Sequence, residues 1–357
     1  MKTTLILAFA LLGGTFASAQ SYVPTDLGPN SFAYGIGEGN VGGAVAGHAT
    51  FWDLLGNATD AHPSFLNAPT RAGTSAINST FNGLFVGTGF DGNRPGHSVA
   101  LRWVGGVAQP LADPFAVYSS TGVFTDGTQI VGTATQLDVI RDVQSQGPQH
   151  AIVWDATTGG VVVDLFDGKP VVALGCAHGT QVGYESKGSS LEARLWFGAK
   201  RGFVNLHPKA YDTSMAVATD GVRQVGTVGI SMKLFNETHR NFQVLMNYAA
   251  VWQGSANSLI TLGYVPADLP LGTAQATGIR GNLVCGFGMG KNRAGTTQYT
   301  HAVVWNLADF SQRDLHLTLP AGFITSRATG VDANGNVTGW AVDTAGKTHG
   351  IIWNLVP

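Results

Sequence analysis

The chain has 357 residues, including 49 glycines and 8 tryptophans, and only 12% of its residues are charged, about half of the usual share of roughly 25%. Its 44% apolar content and net charge of −2 exclude a disordered chain. The 20 basic residues against 22 acidic ones do not favour a nucleic-acid-binding protein. Two cysteines cannot form a disulfide scaffold, and so many glycines oppose long helices. The composition therefore predicts a large, turn-rich, mostly β protein.

The N-terminal segment, residues 1–19, has the pattern of a secretory signal peptide. Lys2 precedes an apolar run, and small residues at Ala17 and Ala19 form a cleavage site. Two glycines interrupt the run well before the roughly 20 apolar residues that a membrane span requires. We expect cleavage near Ala19, a secreted or periplasmic protein with no membrane span, and a single domain over residues 20–357.

Seven of the eight tryptophans recur at an interval of about 50 residues, which is the size of a propeller blade. These are Trp52, Trp103, Trp154, Trp196, Trp252, Trp305 and Trp353. A small residue lies three positions before each tryptophan. Histidine lies four positions before it in four copies, which are His48, His150, His301 and His349. An apolar residue and a glycine form a second recurring position upstream, at Gly42, Gly87, Gly132, Gly183, Gly226, Gly286 and Gly339.

Each repeat contains four short apolar runs separated by turns, many of them of the Asx-Gly type. The last repeat shows the first three runs most clearly, and interior copies add a fourth after the tryptophan, such as Val161-Val-Val-Asp-Leu. Apolar runs joined by Asx-Gly turns are typical of β-hairpins. Seven such units predict an all-β fold, a seven-bladed β-propeller of four-stranded antiparallel blades.

The two ends of the chain complement each other. The seventh repeat stops shortly after Trp353 and has no fourth run, whereas Tyr22-Val-Pro-Thr-Asp-Leu-Gly precedes the first repeat and resembles a fourth run. We expect this N-terminal strand to pair with the strand around Ile351 and to close the ring, leaving few exposed sheet edges. Pro24 suits the outermost position, because proline is confined to edge strands.

The repeat resembles that of the bacterial extracellular HAF-repeat proteins, which are named for a His-Ala-Phe tripeptide. His48-Ala-Thr-Phe-Trp, His150-Ala-Ile-Val-Trp and His301-Ala-Val-Val-Trp carry the resemblance, and it covers residues 21–357. The third residue of the motif is Thr, Ile or Val here, and repeats two, four and five lack the histidine. The resemblance implies export and a repeat fold, but no reaction that could be assigned to particular residues.

Residues that could carry chemistry have structural interpretations. The repeated histidines start the third strand, away from the channel, and we expect them to bond a turn carbonyl or to pack against the neighbouring blade. Cys176 and Cys285 are separated by a whole blade, too far for a disulfide, and are predicted to be buried free thiols. The segment Asp332-Ala-Asn-Gly-Asn resembles a calcium loop but lacks the bidentate glutamate. We therefore assign no catalytic, cofactor or metal-binding residue.

The second turn of the repeat varies in length, whereas the first and third are uniformly short. In a four-stranded meander the second turn and the connections between blades share one face, and variable loops on one face commonly carry recognition. The three longest insertions lie in repeats three, five and six, and each contains charged residues, which are scarce in this chain. The candidate binding residues are Arg141, Lys233, Phe235, His239, Arg240, Phe242, Lys291, Arg293 and Tyr299.

The leading hypothesis is a secreted, monomeric, non-enzymatic protein that binds an extracellular polysaccharide or protein through this loop face. The alternative is an extracellular polysaccharide-active enzyme, a hydrolase or lyase, with its site at the central channel. Fold alone does not decide between them, because propellers host both kinds of role. A carboxylate pair or a metal facing the channel would favour the enzyme.

Overall fold

The computed structural model describes residues 21–94, 96–140, 143–198, 202–235, 241–263, 273–291 and 298–356. Seven separate sheets, each of four antiparallel strands, follow one another along this chain. In six of these sheets the four strands are consecutive in the sequence, the seventh also includes the N-terminal strand, and each sheet packs against the next one. The protein is the predicted seven-bladed β-propeller.

The blades have the following strands, from the innermost to the outermost. Blade 1 has β2 (Ser31–Gly37), β3 (Asn40–Val45), β4 (His48–Asp53) and β5 (Ala58–Asp60); blade 2 has β6 (Thr74–Phe81), β7 (Leu84–Phe90), β8 (Ser98–Val104) and β9 (Val107–Pro110). Blade 3 has β10 (Val117–Thr125), β11 (Gln129–Ile140), β12 (Val143–Asp155) and β13 (Val161–Asp164); blade 4 has β14 (Val171–Ala177), β15 (Thr180–Lys187), β16 (Ser190–Trp196) and β17 (Val204–Asn205).

The remaining blades follow the same order until the last. Blade 5 has β18 (Thr213–Thr219), β19 (Gln224–Phe235), β20 (Asn241–Trp252) and β21 (Ile260–Leu262); blade 6 has β22 (Thr273–Arg280), β23 (Leu283–Lys291), β24 (Gln298–Asn306) and β25 (Ser311–Asp314). Blade 7 has β26 (Phe323–Val331), β27 (Val337–Asp343), β28 (Thr348–Val356) and, from the other end of the chain, β1 (Ser21–Pro29).

The ring is closed by the N-terminal strand, as predicted. Strand β1 pairs antiparallel with β28 from Ser21 opposite Val356 to Asp26 opposite Ile351. The hydroxyl of buried Tyr22 also donates a 3.1 Å hydrogen bond to the carbonyl of Gly335 in the first turn of blade 7. The last blade is therefore made from both ends of the chain.

A glycine on each second strand allows a bulge on the first strand. The first strand of every blade shifts register by one residue just after this pairing, as at Ala173/Gly175 opposite Gly183. A Cβ at the recurring glycine would lie 1.8–2.0 Å from a main-chain carbonyl oxygen of the first strand, so no larger residue fits. In blade 1 the equivalent glycine is Gly43, which pairs with Ala33, and not Gly42 as the spacing suggested.

The seven repeated tryptophans are all on third strands and are at most 2% exposed. In four of them the indole Nε1 donates to a carbonyl at the end of the preceding blade, with distances of 2.7–3.2 Å. The pairs are Trp103 to Ala61, Trp154 to Ala112, Trp305 to Gly263 and Trp353 to Leu315. Each of these rings therefore fills the space between two sheets and also bonds them together.

Helical structure in the described chain is limited to three single turns of 3-10 helix, Ser64–Leu66, Ala256–Ser258 and His316–Thr318. None of them is long or apolar enough to cross a membrane.

Candidate functional site

The four repeated histidines each bond an aspartate on the fourth strand of their own blade. The distances from Nδ1 to a carboxylate oxygen are 2.8–3.1 Å, for the pairs His48–Asp60, His150–Asp164, His301–Asp314 and His349–Asp26. Of the two contacts expected for these rings, the hydrogen bond to a turn carbonyl was wrong, because the aspartate that closes the repeat places a carboxylate beside the ring.

A second set of rings extends this contact to the next blade. His62, His207 and His316 each lie two residues after a fourth strand. Their Nδ1 atoms are 2.7–3.0 Å from the Oγ of a serine in the following blade. That serine oxygen also accepts the main-chain N–H three residues before the tryptophan, as Ser326 does from Ala302. His316 also stacks on His301 at 4.1 Å.

These Asp, His and Ser side chains belong to the packing between blades. The serine hydroxyls are buried and already accept a main-chain hydrogen bond, and the arrangement recurs at several blade junctions. A catalytic site needs one exposed nucleophile, whereas a repeated contact serves the scaffold. Burial, together with the nearby His301, lowers the pKa of His316 to about 4.

Both cysteines are free and buried, as predicted. Burial raises the pKa of Cys285 to about 12 and raises that of Cys176 well above its ordinary value. A thiol with a raised pKa is a poor nucleophile. In the described residues no three His, Cys, Asp or Glu side chains form a group that could hold a metal ion.

The three long insertions are extended β-ribbons and not the loops expected from the sequence. Strands β19 and β20 stay paired from the blade out to Phe235 opposite Asn241. Strands β11 and β12 likewise continue to Ile140 opposite Val143, and β23 and β24 continue to Lys291 opposite Gln298. Because all three ribbons extend a second turn, they project from the face that also carries the blade-to-blade connections. We call this the ribbon face.

The candidate binding residues map onto these ribbons. Arg141, His239, Arg240 and Arg293 lie outside the described residues. The backbone of Lys233 and Phe235 is in β19, that of Phe242 in β20 and that of Lys291 in β23. Tyr299 in β24 is partly exposed and pairs with Gly290. Exposed apolar side chains also occur on the ribbons, at Val139 and Leu245.

Blade 4 has a short second turn and lies between the ribbon-bearing blades 3 and 5. Below this turn Arg194 and Glu185 form a buried ion pair, each 2% exposed. Arg194 also bonds Asp167 at 3.0 Å, and Lys169 lies 3.2 Å from Glu185. The repeat pattern could not predict this network. The residues equivalent to Arg194, two positions before the repeated tryptophan, are uncharged in the other blades, for example Leu101 in blade 2 and Val303 in blade 6.

A cavity of about 890 Å³ occupies the central channel. It is lined by the ends of all seven first strands and by the turns that follow them. These are first turns, so the cavity lies toward the face opposite the ribbons. The bulged residue of each first strand forms its inner wall, a set made of Tyr34, Asn78, Val123, Leu174, Val217, Thr277 and Thr329.

Among the described residues, four carboxylates line this cavity, and three of them, Asp126, Asp220 and Asp332, accept main-chain N–H groups of their own turns. Asp126 accepts the main-chain N–H groups of Thr128 and Gln129, and these hydrogen bonds hold its pKa below the ordinary value despite partial burial. Asp332 accepts two N–H groups of its own turn in the same way. An ionised carboxylate in such a turn is unsuited to donate a proton.

A different group of side chains lies nearer the ribbon face, on the wall formed by blades 6, 7 and 1. The Cζ of Arg327 is 4.4 Å from the ring centroid of Phe287 and 5.1 Å from that of Trp340, the eighth tryptophan. Phe32 contacts Trp340 edge-on at 6.1 Å and stacks on Tyr34 at 5.7 Å. Sequence reasoning missed this group, although Trp340 stood out as the tryptophan outside the repeat.

No family model matches the chain, and no curated protein matches it. Solved structures do match. An oligogalacturonate lyase in complex with manganese superposes with a TM-score of 0.51 at 11% identity, covering 93% of each chain. A puromycin hydrolase mutant gives a TM-score of 0.47 at 10% identity, covering 90% of this chain and 53% of the other. TolB from Acinetobacter baumannii gives 0.42 at 11%, covering 93% and 80%. At 11% identity the likeness to the lyase supports the fold alone.

Proposed function

We propose that this is an exported, monomeric, non-enzymatic protein that binds an extracellular polymer through the ribbon face. The observation that carries the proposal is the confinement of all three strand extensions to one face of an otherwise regular scaffold. Blades 1, 4 and 7 show that a propeller blade needs only a short second turn here. The ribbons of blades 3, 5 and 6 are therefore additions that the fold does not require.

A polysaccharide is the polymer that the ribbon composition fits best. The β19–β20 ribbon combines Phe235 and Phe242 with Lys233, and Tyr299 and Lys291 lie on the neighbouring β23–β24 ribbon. Aromatic rings offer flat apolar surfaces to sugar rings, and cations attract acidic sugars. Blade 4, with its short turn, leaves a gap between two ribbons in which an extended chain could lie.

The test shortens one ribbon. Residues 232–244 are replaced by Asn-Gly, so that Ser231 and Leu245, which already pair, flank a two-residue turn. Affinity electrophoresis of the purified protein in alginate, polygalacturonate, xylan and β-glucan measures binding. The full-length chain is expected to be retarded by at least one of these polymers, and the shortened variant to lose that retardation while keeping its melting temperature.

Two further variants separate the alternatives. Replacing residues 139–144 in the same way shortens the ribbon of blade 3, and Arg280→Gln changes a residue at the cavity of the channel. If retardation survives both ribbon deletions but is lost in Arg280→Gln, the ribbon face is not the binding surface. Cleavage of a retarded polymer, measured as new chain ends, would support the polysaccharide-active enzyme instead. Binding of a protein but of no polysaccharide would overturn the choice of polymer.

A further inference from the structure

Arg327 is held by two aromatic rings from neighbouring blades. It lies on β26, two residues before Thr329, which lines the central cavity. Phe287 and Trp340 occupy equivalent positions, because each follows the recurring glycine of its second strand, in blades 6 and 7 respectively. Cation–π contacts with two rings fix the position of the guanidinium.

The guanidinium has no counter-ion. Across the part of the chain that the structure describes, it makes no hydrogen bond and no ion pair, and its buried Nε has no partner. Burial lowers the pKa of Arg327 below its ordinary value. A guanidinium carries five N–H donors, and buried donors in folded proteins are nearly always paired. Nε is the buried donor of Arg327, and ring contacts do not replace its missing hydrogen bond, so the donors of this guanidinium are available to an anion.

The packing of the other blades gives no structural reason for an arginine at position 327 and a tryptophan at position 340. The residues equivalent to Arg327 in the other blades are Phe32, Ala76, Thr121, Val172, Met215 and Gln275. Those equivalent to Trp340 are Ala44, Thr88, Thr133, Tyr184, Thr227 and Phe287. Blades therefore pack with small or uncharged residues at both positions. A charged residue and a tryptophan that occur together in one blade are more simply explained by a ligand.

An aromatic surface connects Arg327 to open space. Tyr34 lines the central cavity, and Phe32, stacked on it, lines a second cavity of about 320 Å³ between blades 1 and 7. Both rings are partly exposed. Phe32 also contacts Trp340, which in turn contacts Arg327. Trp340 therefore joins the guanidinium to an aromatic surface, formed by Phe32 and Tyr34, that borders both cavities.

We propose that Arg327 binds the carboxylate of a ring-bearing organic acid, with the ligand's ring packed against Tyr34 and Phe32. The planar fork of arginine donates two parallel hydrogen bonds to a carboxylate, and the low local polarity strengthens them. Aromatic walls with one charged group are typical of small-molecule sites. The site lies on the channel wall, and it does not depend on the ribbon face being a binding surface.

The experiment is calorimetric titration of the full chain with two ring acids, glucuronate and benzoate, and with their uncharged counterparts glucose and benzyl alcohol. Acetate tests a carboxylate without a ring, and sulfate tests an anion of a different shape. At least one ring acid is expected to bind, with its uncharged counterpart and acetate each at least about 10-fold weaker, because charge-assisted hydrogen bonds and ring packing both contribute. Which ring acid binds more tightly distinguishes a sugar acid from an aromatic acid.

Variants assign the binding to Arg327. Arg327→Met keeps an unbranched apolar side chain but removes the guanidinium and its charge, and it is expected to weaken binding of the ring acid by about 10- to 100-fold. Arg71→Met removes an exposed arginine elsewhere and should leave affinity unchanged. Trp340→Phe keeps an aromatic ring beside Arg327 and should weaken binding only a few-fold, so it tests the site even if Arg327→Met does not fold.

Stability distinguishes a binding role from a structural one. Since Arg327 has no polar partner, the melting temperature of Arg327→Met is expected to stay the same or to rise. Three results would each overturn the proposal: no ring acid binds better than its uncharged counterpart, Arg327→Met binds it as tightly as the original chain, or sulfate binds more tightly than both ring acids. A melting temperature several degrees lower in Arg327→Met, with unchanged affinity, would assign Arg327 to the scaffold.

Discussion

Arg194 and Arg327 differ in what surrounds their guanidinium groups. Arg194 in blade 4 is 2% exposed, contacts Glu185 and Asp167, and its Cζ lies 3.7 Å from the ring centroid of Phe203. Arg327 on the channel wall contacts two rings but has no carboxylate beside it in the described chain. Burying a charge is costly unless it is paired. The paired arginine is therefore part of the scaffold, and the unpaired one indicates a site for a ligand.

The same contrast separates the repeated tryptophans from the eighth. Trp154 is fully buried and its Nε1 bonds the carbonyl of Ala112 at 2.7 Å, in a position that every blade shares. Trp340 is partly exposed and has no tryptophan counterpart in the other blades. In a repeat protein, features present in all copies stabilise the stack, whereas features of one copy are free to serve function.

The largest expected effect is at the repeated tryptophan. Trp154→Ala removes a fully buried ring and a hydrogen bond between blades, so we expect a loss of about 3–5 kcal/mol in the free energy of unfolding. Trp340→Ala should cost less than about half of that, because its ring is partly exposed. Urea denaturation of both variants measures the difference. Equal losses would mean that Trp340 is as much a part of the scaffold as Trp154.

A smaller effect is expected at Arg194. Arg194→Met leaves Glu185 buried without its main partner and should cost about 3 kcal/mol, because Lys169 still offsets part of the charge. The double variant Arg194→Met/Glu185→Gln should recover part of the loss, since it removes the uncompensated charge. If the double variant is less stable than Arg194→Met alone, the loss in the single variant does not come from the uncompensated charge of Glu185.

The smallest effect is a pH dependence at His316. Its pKa is about 4 in the folded protein and about 6.5 in the unfolded chain, so folding favours the neutral ring. The resulting stabilisation is complete above pH 6.5 and is lost as the pH falls from 6.5 toward 4. His316→Gln should therefore reduce the drop in melting temperature between pH 7 and pH 4, by on the order of 2 °C.

The exposed His178 provides the control for this measurement. His178 has a φ of 50°, which asparagine tolerates, and its side chain is largely in solvent. His178→Asn should leave the acid-induced drop unchanged. If His178→Asn and His316→Gln change the drop equally, the effect does not come from the burial of His316 at the blade junction.

Much of the fold could be predicted from the sequence, because its determinants are repeated. The tryptophan interval gave the number of blades, the glycine position marked the second strands, and the missing fourth run predicted closure by Tyr22 and its neighbours. The error of one residue at Gly43 arose because Gly42 and Gly43 are adjacent and only the bulge on β2 distinguishes them. The partner of the repeated histidines was wrong because the pairing of third and fourth strands decides which side chain faces the ring.

The candidate sites were less predictable. The sequence located the three insertions but not their form, because a run of polar and aromatic residues does not reveal that two strands continue to pair. It also gave no indication of Arg327, whose partners Phe287 and Trp340 are 40 and 13 positions away along the chain. Pairing of β26 with β27 places Trp340 opposite Arg327, and the stacking of blade 6 on blade 7 brings the ring of Phe287 to the guanidinium.

The sequence by itself determined the architecture of this protein. A motif that occurs seven times shows the length of the repeat directly, and its recurring tryptophan and glycine show which residues pack between and within the blades. Local chemistry was sufficient there: a glycine permits the bulge, a tryptophan fills the gap between sheets, and an aspartate pairs with a histidine one strand away. The tertiary structure decided where the departures from the motif meet. The low charge of the chain makes those departures informative, because a cation without a partner stands out when only 12% of residues carry charge.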